Sequence, residues 1–507
     1  MQHTSLSTIL TRVLASLILG CCLSAASSGQ TPADLQRWVG RWSGVAIDVQ
    51  GDFHTEQAII VELRAAPGGT LEFRELDRGT LRGESSQVRM TAPDQITVSW
   101  QALFPGEMTA VGRLDKAGRV LRLHISGGAM NLSHALDADL RRDDAIASAF
   151  EAPRLRRDGK RQLSYRYEQP RRRADGWPTA SLRQANIDPA PIQQLMQTIL
   201  QQSGDSNTNV THSLLMARHG RLVLEDYFWG YRAELAHGIS SCTKSLTSMI
   251  AGVAADQGQL ALSDTVSAHF TDYPEARWIR ERYPVTVEQL FSMDAGLVWN
   301  EDVPYDDPQN STRPLLETDD PISFILSRPL ASAPGTKFQY NSALPMLAGA
   351  LLTRVVHEPV ESFAERKLFQ PLGIKNYRWV RSRDGSVLAA GGFAMPPRDM
   401  LKLGQVMLNG GTWRDHRILS EAWVRNSTAR HTPAGQYAYG LYWHLMTPTQ
   451  WQWPGQSGYL AAGQGGQFII VLPKLDLVAV ITSGNWQAHG TPLAYQEAVK
   501  FMAAAVH

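Results

Sequence analysis

Three cysteines in 507 residues are too few for a disulfide scaffold or a four-cysteine metal site. An excess of either charge is also missing. The 49 basic and 48 acidic side chains leave a net charge near +1, which excludes the polycationic signature of a nucleic-acid binder. The fourteen histidines show no helical pairing around a glutamate, and His357-Glu358-Pro359 is interrupted by proline. The sequence therefore carries no metal signature. Past the N-terminus no stretch reaches about 18 uninterrupted apolar residues, so no transmembrane helix is expected. With 43% apolar residues the chain is not disordered, and its length suits two or three domains.

The first residues carry one basic side chain, Arg12, then the apolar run Val13 to Leu19 and the small residues Ser24-Ala25-Ala26-Ser27-Ser28. Residues 1–28 read as an export signal, which makes the protein periplasmic or secreted. Ile18-Leu19-Gly20-Cys21 also resembles a lipobox, so a lipid anchor at Cys21 is the one membrane contact expected; simple cleavage is the other route. Either route leaves Cys242 as an unpaired thiol, expected to be buried as a small hydrophobe.

From about 35 to 150, short runs alternate apolar and polar residues between turn signals, as in Ile59 to Leu63, Ile96 to Trp100 and Val120 to Ile125. This is the period of half-buried antiparallel strands in a small barrel or sandwich. Gly40-Arg41-Trp42-Ser43-Gly44 resembles the opening of lipocalin-like barrels. Residues 151–176 are rich in basic side chains and read as a linker, with Pro153, Gly159 and Pro170 interrupting regular structure. The remainder, 177–507, mixes helical periods with apolar strands. Hairpins are expected around His219-Gly220 and around Pro473 to Asp476, and long helices over Lys244 to Leu262 and Ala343 to Val355. Hairpins near both ends imply an α/β (α+β) domain whose antiparallel sheet takes strands from both termini.

Of nine lysines, only Lys244 follows a serine by three positions, Ser241. On a helix this spacing puts amine and hydroxyl on one face. A serine hydroxyl is inert until a base accepts its proton, and a lysine desolvated by apolar neighbours can be that base. Downstream stands Pro334-Gly335-Thr336, followed by Tyr340-Asn341-Ser342, with Tyr340 ninety-nine residues after Ser241.

Together these segments resemble the serine β-lactamase and penicillin-binding-protein superfamily, and more closely the class C β-lactamase-like esterases and the 6-aminohexanoate-dimer hydrolase group. The likeness extends through Asp175-Gly176-Trp177-Pro178, Phe369 to Ile374, Arg398-Asp399-Met400, Tyr439 to Trp443 and Gly463 to Gln467. It implies an antiparallel sheet flanked by helices plus an all-helical part, behind the β-barrel-like domain. It also implies Ser241 as the acylated nucleophile, Lys244 as proton acceptor or relay, and Tyr340 as their partner. The oxyanion hole would be formed by the backbone N–H groups of Ser241 and Gln464. Ser342, Gly463, Trp299, Tyr305, Tyr442 and His489 would border the substrate, and no cofactor is implied.

Two departures bear on substrate. Ser342 stands where lactamases commonly carry asparagine, and Ala461-Ala462-Gly463 aligns with Lys-Thr-Gly, so no cation awaits a carboxylate. The expected activity is hydrolysis of a small neutral ester or amide through an acyl-enzyme. The rivals are a lactamase or D-amino-acid peptidase acting on cell-wall material, and an inactive relative that holds a ligand.

Overall fold

A computed structural model describes residues 32–484 apart from 51–52, 67–69, 76–85, 102–106, 128–135, 143–163, 202–210, 229–230, 276–283, 304–306 and 448–457, together with Tyr495, Ala498, Met502, Ala504 and Ala505. The export signal, Cys21, Tyr305 and His489 lie outside the described residues. Among those described, no helix is long and apolar enough to cross a membrane.

Eight antiparallel strands form the first unit: β1 (Gly40–Gln50), β2 (Phe53–Ala66), β3 (Thr70–Glu75), β4 (Ser86–Ala92), β5 (Gln95–Gln101), β6 (Glu107–Leu114), β7 (Val120–Gly127) and β8 (Leu136–Arg142). Each pairs with the next, and β1 pairs with β8, Trp42 opposite Arg142, which closes a barrel and removes both sheet edges. Trp42, from the lipocalin-like pentapeptide, is buried in the barrel core with Trp38, Leu63, Phe73, Ile96, Leu123 and Leu140. Its indole N–H donates to the Trp38 carbonyl at 3.0 Å, and the Arg142 guanidinium lies 5.4 Å from its ring centroid.

The second unit is organised by a six-stranded antiparallel sheet. Its strands are β9 (Thr211–Arg218), β10 (Arg221–Tyr227), β16 (His444–Met446), β17 (Gly458–Gly463), β18 (Gln467–Leu472) and β19 (Leu477–Ser483), in the order β10-β9-β19-β18-β17-β16. Both expected hairpins form, and β19 pairs β9, joining early and late sequence. The short strands β11 (His237–Gly238), β12 (Arg378–Trp379) and β13 (Phe393–Met395) make a three-stranded sheet, and β14 (Thr412–Trp413) with β15 (His416–Arg417) a two-stranded one.

Both faces of the large sheet are covered, which is why its central strands read as unbroken apolar runs. Leu214, Met216, Phe468, Ile470, Ala479 and Ile481 point into one core. That core also takes helix α1 (Pro189–Leu200) and the helical C-terminal residues Tyr495, Ala498, Met502 and Ala505. Leu215, Ala217, Ile469, Val471, Val478 and Val480 point to the other side. There they meet α2 (Cys242–Asp256), α3 (Ala343–Val356) and α4 (Pro397–Leu408). α4 lies so close that a Cβ on Gly404 would stand 2.5 Å from Val478 and 2.8 Å from Ile469.

α2 ends at Asp256 instead of running to Leu262, because Gly258 takes a left-handed conformation with φ +71° and stops the helix. The stretch read as linker is anchored from Ser164 onward. Tyr165 is buried and donates to Asp226 at 2.8 Å, and Tyr167 donates to the Val223 carbonyl at 2.8 Å. Arg398 pairs with Asp175 and with Glu225 at 2.7 Å, while the Trp177 indole donates to the Arg398 carbonyl at 3.1 Å. The Asp175-Gly176-Trp177 segment is thereby locked under α4, and Asp399 in the first turn of α4 pairs with Lys402 at 2.7 Å.

Candidate active site

Ser241 is the N-cap of α2, and Ser240 before it takes a left-handed φ of +47°. That turn is braced from the sheet. A Cβ on Gly463, the last residue of β17, would stand 2.4 Å from the Ile239 carbonyl and 3.1 Å from Ser240 Cβ, so only glycine lets the strand approach the turn. From Cys242 to Ala254 every residue of α2 is buried. Ser245 donates to the Tyr442 carbonyl at 2.5 Å, and Thr247 to the Ala389 carbonyl at 3.0 Å. The first bond ties the helix to the Tyr442 segment, and the second fixes it against the segment that supplies the Ala390 carbonyl.

Lys244, one turn into the helix, is 2% exposed. Its Nζ lies 2.9 Å from Ser241 Oγ and 2.7 Å from the Ala390 carbonyl oxygen. Burial pushes its pKa down to about 8, against the pull of the Glu301 carboxylate toward the charged form. Cys242 is buried and unpaired, with its thiol pushed up by the same desolvation.

The opposite wall is the Tyr340-Asn341-Ser342 turn that opens α3. The Tyr340 ring centroid lies 4.9 Å from Lys244 Nζ. Burial, with Glu301 adding to it, raises the phenol well above its usual range, so Tyr340 is protonated at neutral pH. His444 stacks near Tyr340 with centroids 6.3 Å apart and shares a 2.9 Å hydrogen bond with the Tyr437 hydroxyl. Burial pushes that imidazole down to about 3, so it is neutral beside Lys244.

The turn is zipped to residues 293–301. Gln339 N–H donates to the Met293 carbonyl at 2.8 Å, and Gly335 N–H to Asp294 at 2.8 Å. The Gln339 side-chain amide donates to the Trp299 carbonyl. Glu301 completes the seam by accepting from the Ser342 N–H at 2.7 Å and the Ser342 hydroxyl at 2.9 Å. Sequence reading missed Glu301; the only signal was an acid two residues beyond the singled-out Trp299.

Between the walls lies a solvent-open cleft of about 520 Å³. Ser240, Ser241, Lys244, Ser342, Gly391, Gly392 and Gln464 line it with Leu315, Leu316, Met346 and Leu388. Ser241, Lys244, Ser342 and Gln464 thus lie together at the cleft. Trp299 and Tyr442 are placed differently. Trp299 is buried and donates its indole N–H to Glu301 at 2.5 Å. Tyr442, with φ +60°, is buried against Phe291 with ring centroids 4.6 Å apart. Gly463 backs the Ser240-Ser241 turn. Among the described residues no cluster of three or more His, Cys, Asp or Glu could hold a metal ion.

The Beta-lactamase family profile matches residues 195–497, the span that builds this cleft. The chain belongs to the Beta-lactamase family. A 6-aminohexanoate-dimer hydrolase of Paenarthrobacter ureafaciens is 24% identical over 302 residues, spanning 54% of this chain and 73% of that protein. A Salmonella enteritidis PT4 protein provisionally named a D-alanyl-D-alanine carboxypeptidase is 23% identical over 344 residues, spanning 54% and 78%. Among solved structures, EstCE1, described as a hydrolase with promiscuous acyltransferase activity, superposes with a TM-score of 0.51 at 17% identity, covering 63% of this chain and 98% of its own. This chain is a serine hydrolase of the Beta-lactamase family with a β-barrel in front of the matched domain.

Proposed function

We propose that the protein hydrolyses a small uncharged ester or amide through an acyl-enzyme on Ser241. The observation that carries this reading is the 2.9 Å approach of a buried, destabilised Lys244 amine to the Ser241 hydroxyl at the cleft. In its neutral form the amine has two hydrogens and one lone pair. One hydrogen bonds the Ala390 carbonyl, which leaves the lone pair free to take the proton of Ser241 as its oxygen attacks the substrate carbonyl. Tyr340, protonated and set beside Lys244, passes its proton to the leaving group and is reprotonated from Lys244. Water then attacks the acyl-enzyme by the reverse proton route.

The N–H groups of Ser241 and Gln464, both of which line the cleft, receive the developing oxyanion. Among the described residues that line the cleft Lys244 is the one cationic side chain, and its amine is engaged by Ser241 and Ala390. A substrate carboxylate would therefore lack a counter-ion, which favours a neutral substrate over a β-lactam or a peptide ending in D-alanine.

A fluorophosphonate should label the wild type at Ser241, and Ser241→Ala should abolish the adduct. Short-chain nitrophenyl esters should be cleaved, while a chromogenic cephalosporin and a D-alanyl-D-alanine peptide should turn over slowly. Rapid cephalosporin or peptide cleavage with inert esters would overturn the substrate class. An unlabelled wild type would overturn the mechanism.

A further inference from the structure

Ser342 replaces an amide with a hydroxyl, which holds one proton and two lone pairs. Its proton is already committed, because Ser342 Oγ donates to Glu301 Oε1 at 2.9 Å. A carboxylate only accepts, so the direction of this bond is fixed. Glu301 Oε2 is held in turn by the Ser342 N–H at 2.7 Å, the Trp299 indole at 2.5 Å and the Thr312 hydroxyl at 3.5 Å. Asn341 cannot supply the missing amide. It is 2% exposed, and its Oδ1 accepts the Ala343 N–H at 2.8 Å inside the α3 terminus.

We infer that Ser342, deprived of its proton by Glu301, is a hydrogen-bond acceptor toward the substrate, so the cleft selects acyl groups that carry an N–H donor over isosteres that lack one. The inference rests on the reading of Ser241 as nucleophile and adds a specificity rule to it. Glu301 is a positioning residue here: it acts through Ser342.

Glu301→Gln should reverse the rule. The glutamine oxygen must face the Ser342 N–H and the Trp299 N–H, since its NH₂ would oppose two donors there. Its NH₂ then points at Ser342 Oγ, the hydroxyl accepts from it, and the serine proton swings toward the cleft.

The test compares nitrophenyl esters of N-acetylglycine and of O-acetylglycolic acid, which differ by N–H against O, each normalised to its hydroxide-catalysed rate. The wild type should favour the N–H ester by about tenfold in kcat/KM, the effect of one hydrogen bond in a sheltered site. Ser342→Ala should bring the ratio to about one, and Glu301→Gln to one or below. Trp299→Phe, which leaves the Ser342–Glu301 bond in place, should keep the wild-type ratio. A wild-type ratio near one, or an unchanged ratio in Ser342→Ala, would overturn the inference. Fluorophosphonate labelling of the same preparations separates the two levels. A labelled Ser241 with a ratio near one defeats this specificity rule alone, whereas an unlabelled Ser241 defeats the catalytic reading beneath it.

Discussion

On one side of the cleft, α2 is a packed helix, buried from Cys242 to Ala254, that presents Ser241 and Lys244 and is tied to its neighbours through Ser245 and Thr247. The Tyr340-Asn341-Ser342 turn on the other side is hung on a carboxylate, Glu301, and on backbone bonds to Met293 and Asp294. The first wall gains its chemistry from desolvation: removing water from Lys244 brings the amine into a range where it can give and take a proton. The second gains it from directed hydrogen bonds, which fix where Tyr340 and Ser342 stand. Damage to the packed wall should therefore show in kcat, and damage to the bonded wall should be divided between stability and specificity.

The sharpest break is expected at Lys244, the proposed base. Lys244→Ala should lower kcat/KM for a nitrophenyl ester by ~10² to 10⁴, the range for a positioned proton-transfer group, with folding retained. Next comes the brace behind the Ser240-Ser241 turn. Gly463→Ala places a Cβ where the Ile239 carbonyl lies 2.4 Å away, and shifting Ser241 should cost on the order of 10² in kcat with little change in Tm. On the bonded wall, Glu301→Ala strips the Ser342 and Trp299 N–H groups of their acceptor. Urea unfolding should report a loss of about 1–3 kcal/mol, a stability effect that Lys244→Ala should not match.

The mildest effect concerns pH and the backing of the site. His237, four residues before Ser241, bonds His212 at 2.9 Å, and burial holds both imidazoles neutral, His237 pushed down to about 4. Each gains a proton more readily unfolded, near pH 6.5, than folded. Stability from this pair is therefore complete above about pH 6.5 and declines as pH falls from there toward 4, which a Tm series should trace. A Tm that stayed level to pH 4 would contradict the burial of this pair.

The two walls also differ in how far the sequence reveals them. Ser241 and Lys244 are legible because a helix converts a spacing of three into a shared face, and because the residues after Lys244 are apolar enough to bury it. Both hairpins and the pairing of early with late strands follow from period and turn residues such as His219-Gly220. Glu301 is illegible in that way. Its role depends on two irregular segments, 293–301 and 335–342, lying side by side, and no period encodes such a seam. Trp299 and Tyr442 illustrate the converse: an aromatic near a cleft in sequence gives no information on whether it faces the cleft or the core. Barrel closure was open for a related reason, since alternation predicts strands but not that β1 and β8 will find each other.

The most direct test of the account is the rate of fluorophosphonate labelling at Ser241 as a function of pH, in wild type and Lys244→Ala. If the Lys244 amine is the proton acceptor, the wild-type rate should climb about tenfold per pH unit and level off above about pH 8, where the amine is neutral. Lys244→Ala should lose that rise and label at least ~10²-fold more slowly. A wild-type rate independent of pH across this range, or equal labelling of the two proteins, would contradict it.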